Sequence, residues 1–451
     1  MTEPSPRMQL LLHAPIPRVL WRLAAPNVMA AVLMTGVAFA DAWYVGQLGT
    51  VPLASLALVF PFQSLMQMMA AGAIGGGITS AVARALGGGD HSQADSAAWH
   101  AVVIAVAMAA VYMVALGVFS RPIFALLGGS GEALTGAVLY AAIAFGGAPA
   151  MWLMFAFSAI LRGTGDTATP ARAVVAASGA QVLLSGSLTL GWGPFPAIGI
   201  AGPAAAMVIC FGSAAVYLAF HLGRGKAGIS LRPQPLQRKP AATIMQVGGL
   251  GLINSISIAV TVLVVTAFVG QYGTEALAGY GLGSRLELML VPIAFGIGGA
   301  LTAAVGVNFG ARQYARARKI AWTGAGVTFA VSGVLGLSVA VTPALWLDRF
   351  TANPDAYAFG AAYLSIAGPF YGLFGAGQTL YFASQGTGRM LLPVSVGVVR
   401  FLTVGTAGLL AILMAWQVSA VFAAVAAGLA IVGIGLGLCL FGPGWHPRPR
   451  A

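Results

Sequence analysis

The chain has 451 residues, of which 59% are hydrophobic and only 7% charged, and it carries a formal charge of +12. A soluble domain carries roughly 25% charged residues, so most of this chain must meet lipid rather than water. That excludes an ordinary soluble enzyme, and the positive charge has to be read against a membrane before it is read as a nucleic-acid footprint.

Runs such as FAVSGVLGLSVAVTPALWL (329–347) are apolar on every face and lack the period-two alternation of a barrel strand. In hydrocarbon the backbone must satisfy itself, which leaves helices. Residues 1–22 form a segment with Arg7, Arg18 and Arg22 ahead of the first apolar run. Counting runs of about 20 apolar residues, about twelve spans emerge. The first half of the chain holds 23–46, 53–83, 97–119, 133–160, 170–191 and 199–221. Residues 222–242, with three prolines and five basic residues, read as a linker. The second half holds 245–269, 277–309, 320–345, 356–384, 390–414 and 418–441, and 442–451 are a tail. The basic start, the apolar run and Ala38-Phe39-Ala40 imitate a cleavable leader. Pro26 and Asn27 inside that run argue against one, so the first span is expected to be retained.

Nineteen Lys and Arg residues fall on one side of this layout and two, Arg121 and Arg349, on the other, with Arg285 inside a span. Arg389 and Arg400 are counted on the basic side. This positive-inside bias places both termini in the cytoplasm, so the net charge reports topology. Basic residues of the linker can also touch anionic lipid headgroups.

The chain repeats itself. VGQLGTVPLASLAL from Val45 aligns with VGQYGTEALAGYGL from Val269, and RGTGDTATP (162–170) with QGTGRMLLP (385–393), at an offset of 223–224. An even number of spans per half makes this a parallel repeat. The domains are therefore an N-lobe, 23–221, and a C-lobe, 243–441. Paired lobes enclose a cavity that rocking opens to one side at a time, which points to transport. RGTGDTATP lacks the Lys-Ser/Thr of a phosphate loop and reads as a turn in which Asp166 caps or pairs locally.

Acidic residues inside spans are rare and costly. Two qualify, Asp41 in the first span and Glu287 in the eighth, and both are candidates for binding a coupling cation. A half-buried carboxyl can load and unload a proton; held ionised among oxygens, it can take sodium. Asn27 and Met34 share the Asp41 face, and Pro26 can hinge the helix. In the repeat Asp41 aligns with Val265 and Glu287 with Gln63, so the lobes keep their carboxylates on non-equivalent helices. Arg285 neighbours Glu287 in sequence but not on its face. Met34, Met66, Met68, Met69 and Met154 are candidates for an adaptable lining.

These stretches, together with GSRLELMLVPIAFGIGGALTAAVGVNFGA and YFASQGTGRMLLP, resemble the multidrug and toxic compound extrusion (MATE) family from about residue 20 to 440. The resemblance implies an all-α, V-shaped fold of twelve helices in two six-helix lobes. It also implies export of lipophilic, often cationic, compounds against inward proton or sodium movement. It makes Asp41 the coupling carboxylate and Pro26 the bend of the first helix, and it sets Glu287 at a cavity-facing place. Where family members often carry an Asn and an Asp on the fifth helix, this chain has Gln181 and Ser185. Protons are therefore favoured, and sodium at Asp41 is the alternative. Asn27, Met34, Gln63, Gln181 and Arg285 are the expected cavity residues. The expected setting is the bacterial inner membrane, with a monomer that uses no cofactor beyond its coupling ion and no nucleic acid. The rival cargo is a lipid-linked oligosaccharide, and one basic residue in the spans disfavours it. Five histidines at tails or span ends (His13, His91, His100, His221 and His446) give no enzyme site, and no repeated filter residues suggest a channel.

Overall fold

The computed structural model describes residues 6–225 and 228–446. Lys226, Arg448 and Arg450, which belong to the charge layout above, lie outside the described residues. Ten helices among the described residues are long and apolar enough to cross a membrane. They are α1 (Ile16–Gly46), α2 (Thr50–Gly87), α3 (His91–Val118), α5 (Ala168–Leu190), α6 (Ala201–Gly223), α7 (Arg238–Gly270), α8 (Thr274–Gly310), α9 (Tyr314–Val341), α11 (Leu391–Leu413) and α12 (Val418–Cys439). Two further spans are broken. In α4 (131–163), Gly131–Gly146 and Ala148–Gly163 meet at 43°, where Pro149 opens the second piece. In α10 (354–387), Pro354–Ala367 passes through a 3-10 turn, Gly368–Phe370, into Tyr371–Thr387. Together these make twelve spans, six before the linker and six after it. Leu126, Val341 and Trp21 are among many large apolar side chains left exposed, as an integral membrane protein requires of its lipid face.

The repeat offset is 224 at Gln63 and Glu287 but 223 at Thr79 and Thr302, so the first half carries one residue more between them. The stretch Met68–Ile74 of α2 is π-helical. A π turn is the usual way for a helix to absorb a single extra residue while keeping the turns beyond it in register. The widened turn also leaves the Gly72 carbonyl free to accept a bond from Gln385 of the other lobe, 2.9 Å away.

The lobes join at the end that holds the chain termini. There Arg84 donates to the Thr387 carbonyl (3.1 Å), Ser80 to that of Gln385, and Asn308 to that of Leu11 (3.1 Å). Among the described residues no side-chain hydrogen bond crosses between lobes at the opposite end, where the cleft opens. α1 is shared between the lobes. Its first half, with Val19, Leu20, Leu23 and Ala24, lies in a cluster with Ile297, Ala300 and Leu301 of α8. Gly296 lets the backbone at Val28 approach closely. From Ala30 onward α1 belongs to the N-lobe core, and Tyr44 packs at Gly186 of α5. Pro26 sits at the changeover.

The connection between lobes is shorter than the expected 222–242, because α7 begins at Arg238. Nor does it hang free. The Gln237 amide donates to Nε2 of the buried His100 (2.8 Å), and the Ser230 amide donates to Asp95 (2.7 Å). Near the other connection, Arg7 pairs with Asp166 at 3.1 Å, and Asp166 caps Thr169 through both carboxylate oxygens.

A carboxylate nest in each lobe

The N-lobe nest is built by α1 and α5. Three and a half turns of α5 bring Gln181 and Ser185, four residues apart, onto the face that meets Asp41. Ser185 donates to Oδ1 at 2.5 Å and Gln181 Nε2 to Oδ2 at 3.2 Å. Asp41 is only 6% exposed, so its carboxylate faces these partners and not water. The Gln181 Oε1 atom is buried without a partner. Beside the pair, Tyr140 of α4 donates its hydroxyl to Gln63 Oε1 at 3.1 Å, and the Gln63 amide approaches Met207 sulfur. Tyr140 and Cys210 lie within electrostatic reach of Asp41. The two groups that bond the Asp41 carboxylate, an amide and a hydroxyl, are both neutral.

The C-lobe repeats half of this arrangement. Tyr363 is the repeat equivalent of Tyr140, and its hydroxyl donates to Glu287 Oε2 at 2.9 Å. Gln63 and Glu287 are equivalent as well, so the same hydrogen bond appears twice, once to an amide and once to a carboxylate. Tyr280 meets Tyr363 edge-on, and Phe422 of α12 packs on both. The charged neighbour here is Arg400 of α11, within electrostatic reach of Glu287, Tyr363 and Tyr280.

Several expectations change. Glu287 does not face the cleft: it shares a helix face with Tyr280, Gly283 and the buried Leu290, all turned into the C-lobe. Arg400 is not at a membrane surface, where its place on the basic side of the charge layout would set it. It lies in the tenth position of α11, deep in the lobe. Arg285, by contrast, is exposed, on the α8 stripe that continues through Met289 to Gly296 and α1. That stripe leads to the place where α8 meets α1. Asn27 lies at Gly299 between the lobes with its Nδ2 atom buried and unpartnered. Met34 is partly buried against the N-lobe core, with the Gln67 amide 3.9 Å from its sulfur. Met66, Met69 and Met154 are buried in that core, where Tyr112 donates to the Met69 sulfur, so they do not line the cleft. Gln63 and Gln181 serve the nest rather than the cleft.

Tyr140, Tyr363 and Arg400 are the nest residues that sequence reading missed. The two tyrosines are 223 residues apart, and aligning the repeat through the fourth and tenth spans would have paired them.

Two six-helix lobes that join at one end, each with a carboxylate buried among its spans, define a two-lobed membrane transporter. The profile of the MatE family matches residues 26–185 and 252–410, one match in each lobe. The chain belongs to this family of MATE transporters. It is 30% identical over 68% of its length to a FAD transporter of Shewanella oneidensis, covering 69% of that protein. It is 25% identical to a "Probable multidrug resistance protein YoeA" of Bacillus subtilis, over 83% of this chain and 81% of that one. Among solved structures, an outward-facing conformation of a multidrug resistance MATE family transporter superposes with a TM-score of 0.86 at 21% identity, over 96% of each chain.

Proposed function

We propose that the protein exports lipophilic organic compounds from bacterial cells by alternating access, driven by inward cation movement through Asp41. The observation that carries this reading is the Asp41 nest: a buried carboxylate whose hydrogen-bond partners are neutral. Its charge is not compensated, so binding or losing a proton switches the nest between neutral and anionic. That difference is what an exchange cycle needs to bias one lobe arrangement over another. One carboxyl suffices for a proton, whereas sodium prefers several oxygens. Ser185 Oγ and the unpartnered Gln181 Oε1 supply some of these, so sodium is the second ion to try. The positive-inside rule supports cytoplasmic termini in the inner membrane, which makes the cleft open outward here. Loading of Asp41 from outside would then bend α1 at Pro26, where the helix passes from one lobe to the other, and loosen the cargo. The working unit is the monomer, with membrane lipid around it.

The cargo class has two readings. Relatives named for multidrug resistance favour lipophilic, often cationic, drugs. Arg285 favours anionic amphiphiles, because it is an exposed cation on the α8 stripe that leads to α1 while both membrane carboxylates turn into their lobes; one relative is named a FAD transporter. A lipid-linked anionic headgroup belongs to this second class. The test is reconstitution in vesicles with a proton or a sodium gradient imposed separately. Efflux of a lipophilic cation dye is compared with efflux of a flavin dinucleotide. No gradient-driven efflux of either, or undiminished driven efflux by Asp41→Asn, refutes the reading.

A further inference from the structure

A small cavity lies where the lobes join, about the size of one water or one monatomic ion. α2 and α4 form one wall, with Gly76, Thr79 and Arg162, and α8 and α10 form the other, with Gly299, Thr302 and Gln385. Some of its polar groups are satisfied. Thr79 and Thr302 spend their protons on the Ala159 and Phe382 carbonyls, and Gln385 Nε2 donates to Gly72. Three are not. Arg162 has no hydrogen-bond or ion-pair partner among the described residues. Gln385 Oε1 is buried without a donor, and it lies where a Cβ at Gly76 would stand. Asn27 Nδ2 of α1 is buried without an acceptor, 3.7 Å from where a Cβ at Gly299 would stand. Among the described residues no carboxylate lines the cavity. The carboxylate nearest to Arg162 in sequence, Asp166, is spent on Arg7 and Thr169.

We propose that this cavity binds one small anion, of the class of chloride or bromide, held by the Arg162 guanidinium and the Asn27 amide. An uncompensated guanidinium among packed helices is costly; water offsets that cost only in part, whereas an anion cancels the charge. A guanidinium carries five N–H donors, so Arg162 can serve Gln385 Oε1 and an anion together. Asn27 Nδ2, otherwise an orphaned donor, completes the shell from the side of α1. Phe295 and Phe382, edge to face with ring centroids 5.4 Å apart, close the apolar side. Such walls favour a weakly hydrated monovalent ion over phosphate or sulfate, whose hydration is costlier to remove. The two walls belong to different lobes, so the site is complete only while the lobes are joined at this end. By linkage the anion stabilises the joined arrangement over one in which the lobes part there. The site stands apart from cation exchange at Asp41, and the inference does not rest on that reading.

The test is thermal unfolding of the purified full-length protein in lipid, with chloride or bromide replacing gluconate at constant sodium, so that a cation at Asp41 does not move the comparison. The wild-type midpoint should rise by a few degrees and saturate with halide, and phosphate should give no saturable rise. Arg162→Gln, which gives the N-lobe the side chain that the C-lobe carries at the equivalent position, should flatten the response. Arg121→Gln, at an exposed position, should keep it. A wild-type midpoint indifferent to halide overturns the proposal. So does an Arg162→Gln protein that responds like the wild type, or a phosphate response equal to that of halide. If Arg162→Gln does not fold, Gly299→Ala takes its place. Its methyl group meets nothing closer than Asn27 Nδ2 at 3.7 Å yet takes up room in the cavity, so a full halide response there overturns the proposal equally. Anomalous scattering from crystals of the wild-type protein in bromide should show a peak between Arg162 and Asn27; peaks at exposed arginines alone overturn the assignment.

Discussion

Arg162 and Gln385 hold equivalent positions in the two repeats and line the same small cavity between the lobes. Gly76 and Gly299 line it too, as do Thr79 and Thr302, each again a repeat pair. Thr79 donates to the Ala159 carbonyl at 3.0 Å and Thr302 to that of Phe382 at 2.7 Å, one bond drawn twice about a pseudo-two-fold axis. The symmetry stops at charge: one lobe brings a guanidinium, the other an amide that reaches across to Gly72.

Gln385→Arg should therefore set two like charges in one cavity and loosen the end at which the lobes join. At an effective dielectric of about 20 and a separation of about 6 Å, the repulsion is roughly 3 kcal/mol, enough to move a two-state balance by more than tenfold. Amide hydrogen exchange across 72–88 and 384–390 should quicken. The exchanged pair Arg162→Gln/Gln385→Arg should restore protection, and failure to do so would remove charge as the cause.

Ser185→Ala and Gln181→Leu each take one donor from Asp41. A hydrogen bond to a charged group contributes about 1.5–3 kcal/mol, so gradient-driven efflux should fall by roughly tenfold or more. The loss should be larger for Ser185, which is 2.5 Å from the carboxylate against 3.2 Å for Gln181. Ser185→Thr keeps the hydroxyl and should keep most of the activity. Equal loss in Ser185→Thr would show that shape, not the bond, matters.

Pro26→Ala returns a backbone donor to the interior of α1. A mid-helix proline costs about 3 kcal/mol, so the variant should melt at a higher temperature yet turn over more slowly, because the changeover point no longer bends. Thermal unfolding and efflux rate, measured on one preparation, check both signs.

His100→Leu leaves the Gln237 amide without its acceptor. His100 Nδ1 lies 2.8 Å from the Ser96 carbonyl, so Nε2 is the accepting nitrogen of a neutral ring. Loss of one buried acceptor costs about 1–3 kcal/mol. Limited proteolysis should then cut the connection 224–237 faster while α3 and α7 stay intact.

Fold and lobes can be read from the sequence because hydrocarbon permits few alternatives: long apolar runs, the basic bias and the repeat at Val45 and Val269 all constrain one another. Asp41, Gln181 and Ser185 come out together because a carboxylate in an apolar run stands out and an aligned helix supplies its neighbours. Orientation is harder to read. Glu287 and Arg285 are two residues apart, and only packing decides which of them meets the cleft and which meets Tyr363. Arg400 sorts wrongly when judged by the sign of its charge and not by its depth in the span. The methionines mislead for a related reason: Met66 and Met154 fill a core as readily as they would line a wall.

α1 gives its first half to one lobe and its second half to the other, and this affects how the molecule can be taken apart. Cutting the chain within 224–237 would not yield two independent pieces, since the N-terminal fragment would still carry a greasy handle shaped for α8. Two such fragments, made in one cell, should find each other and rebuild the whole without a peptide bond between them.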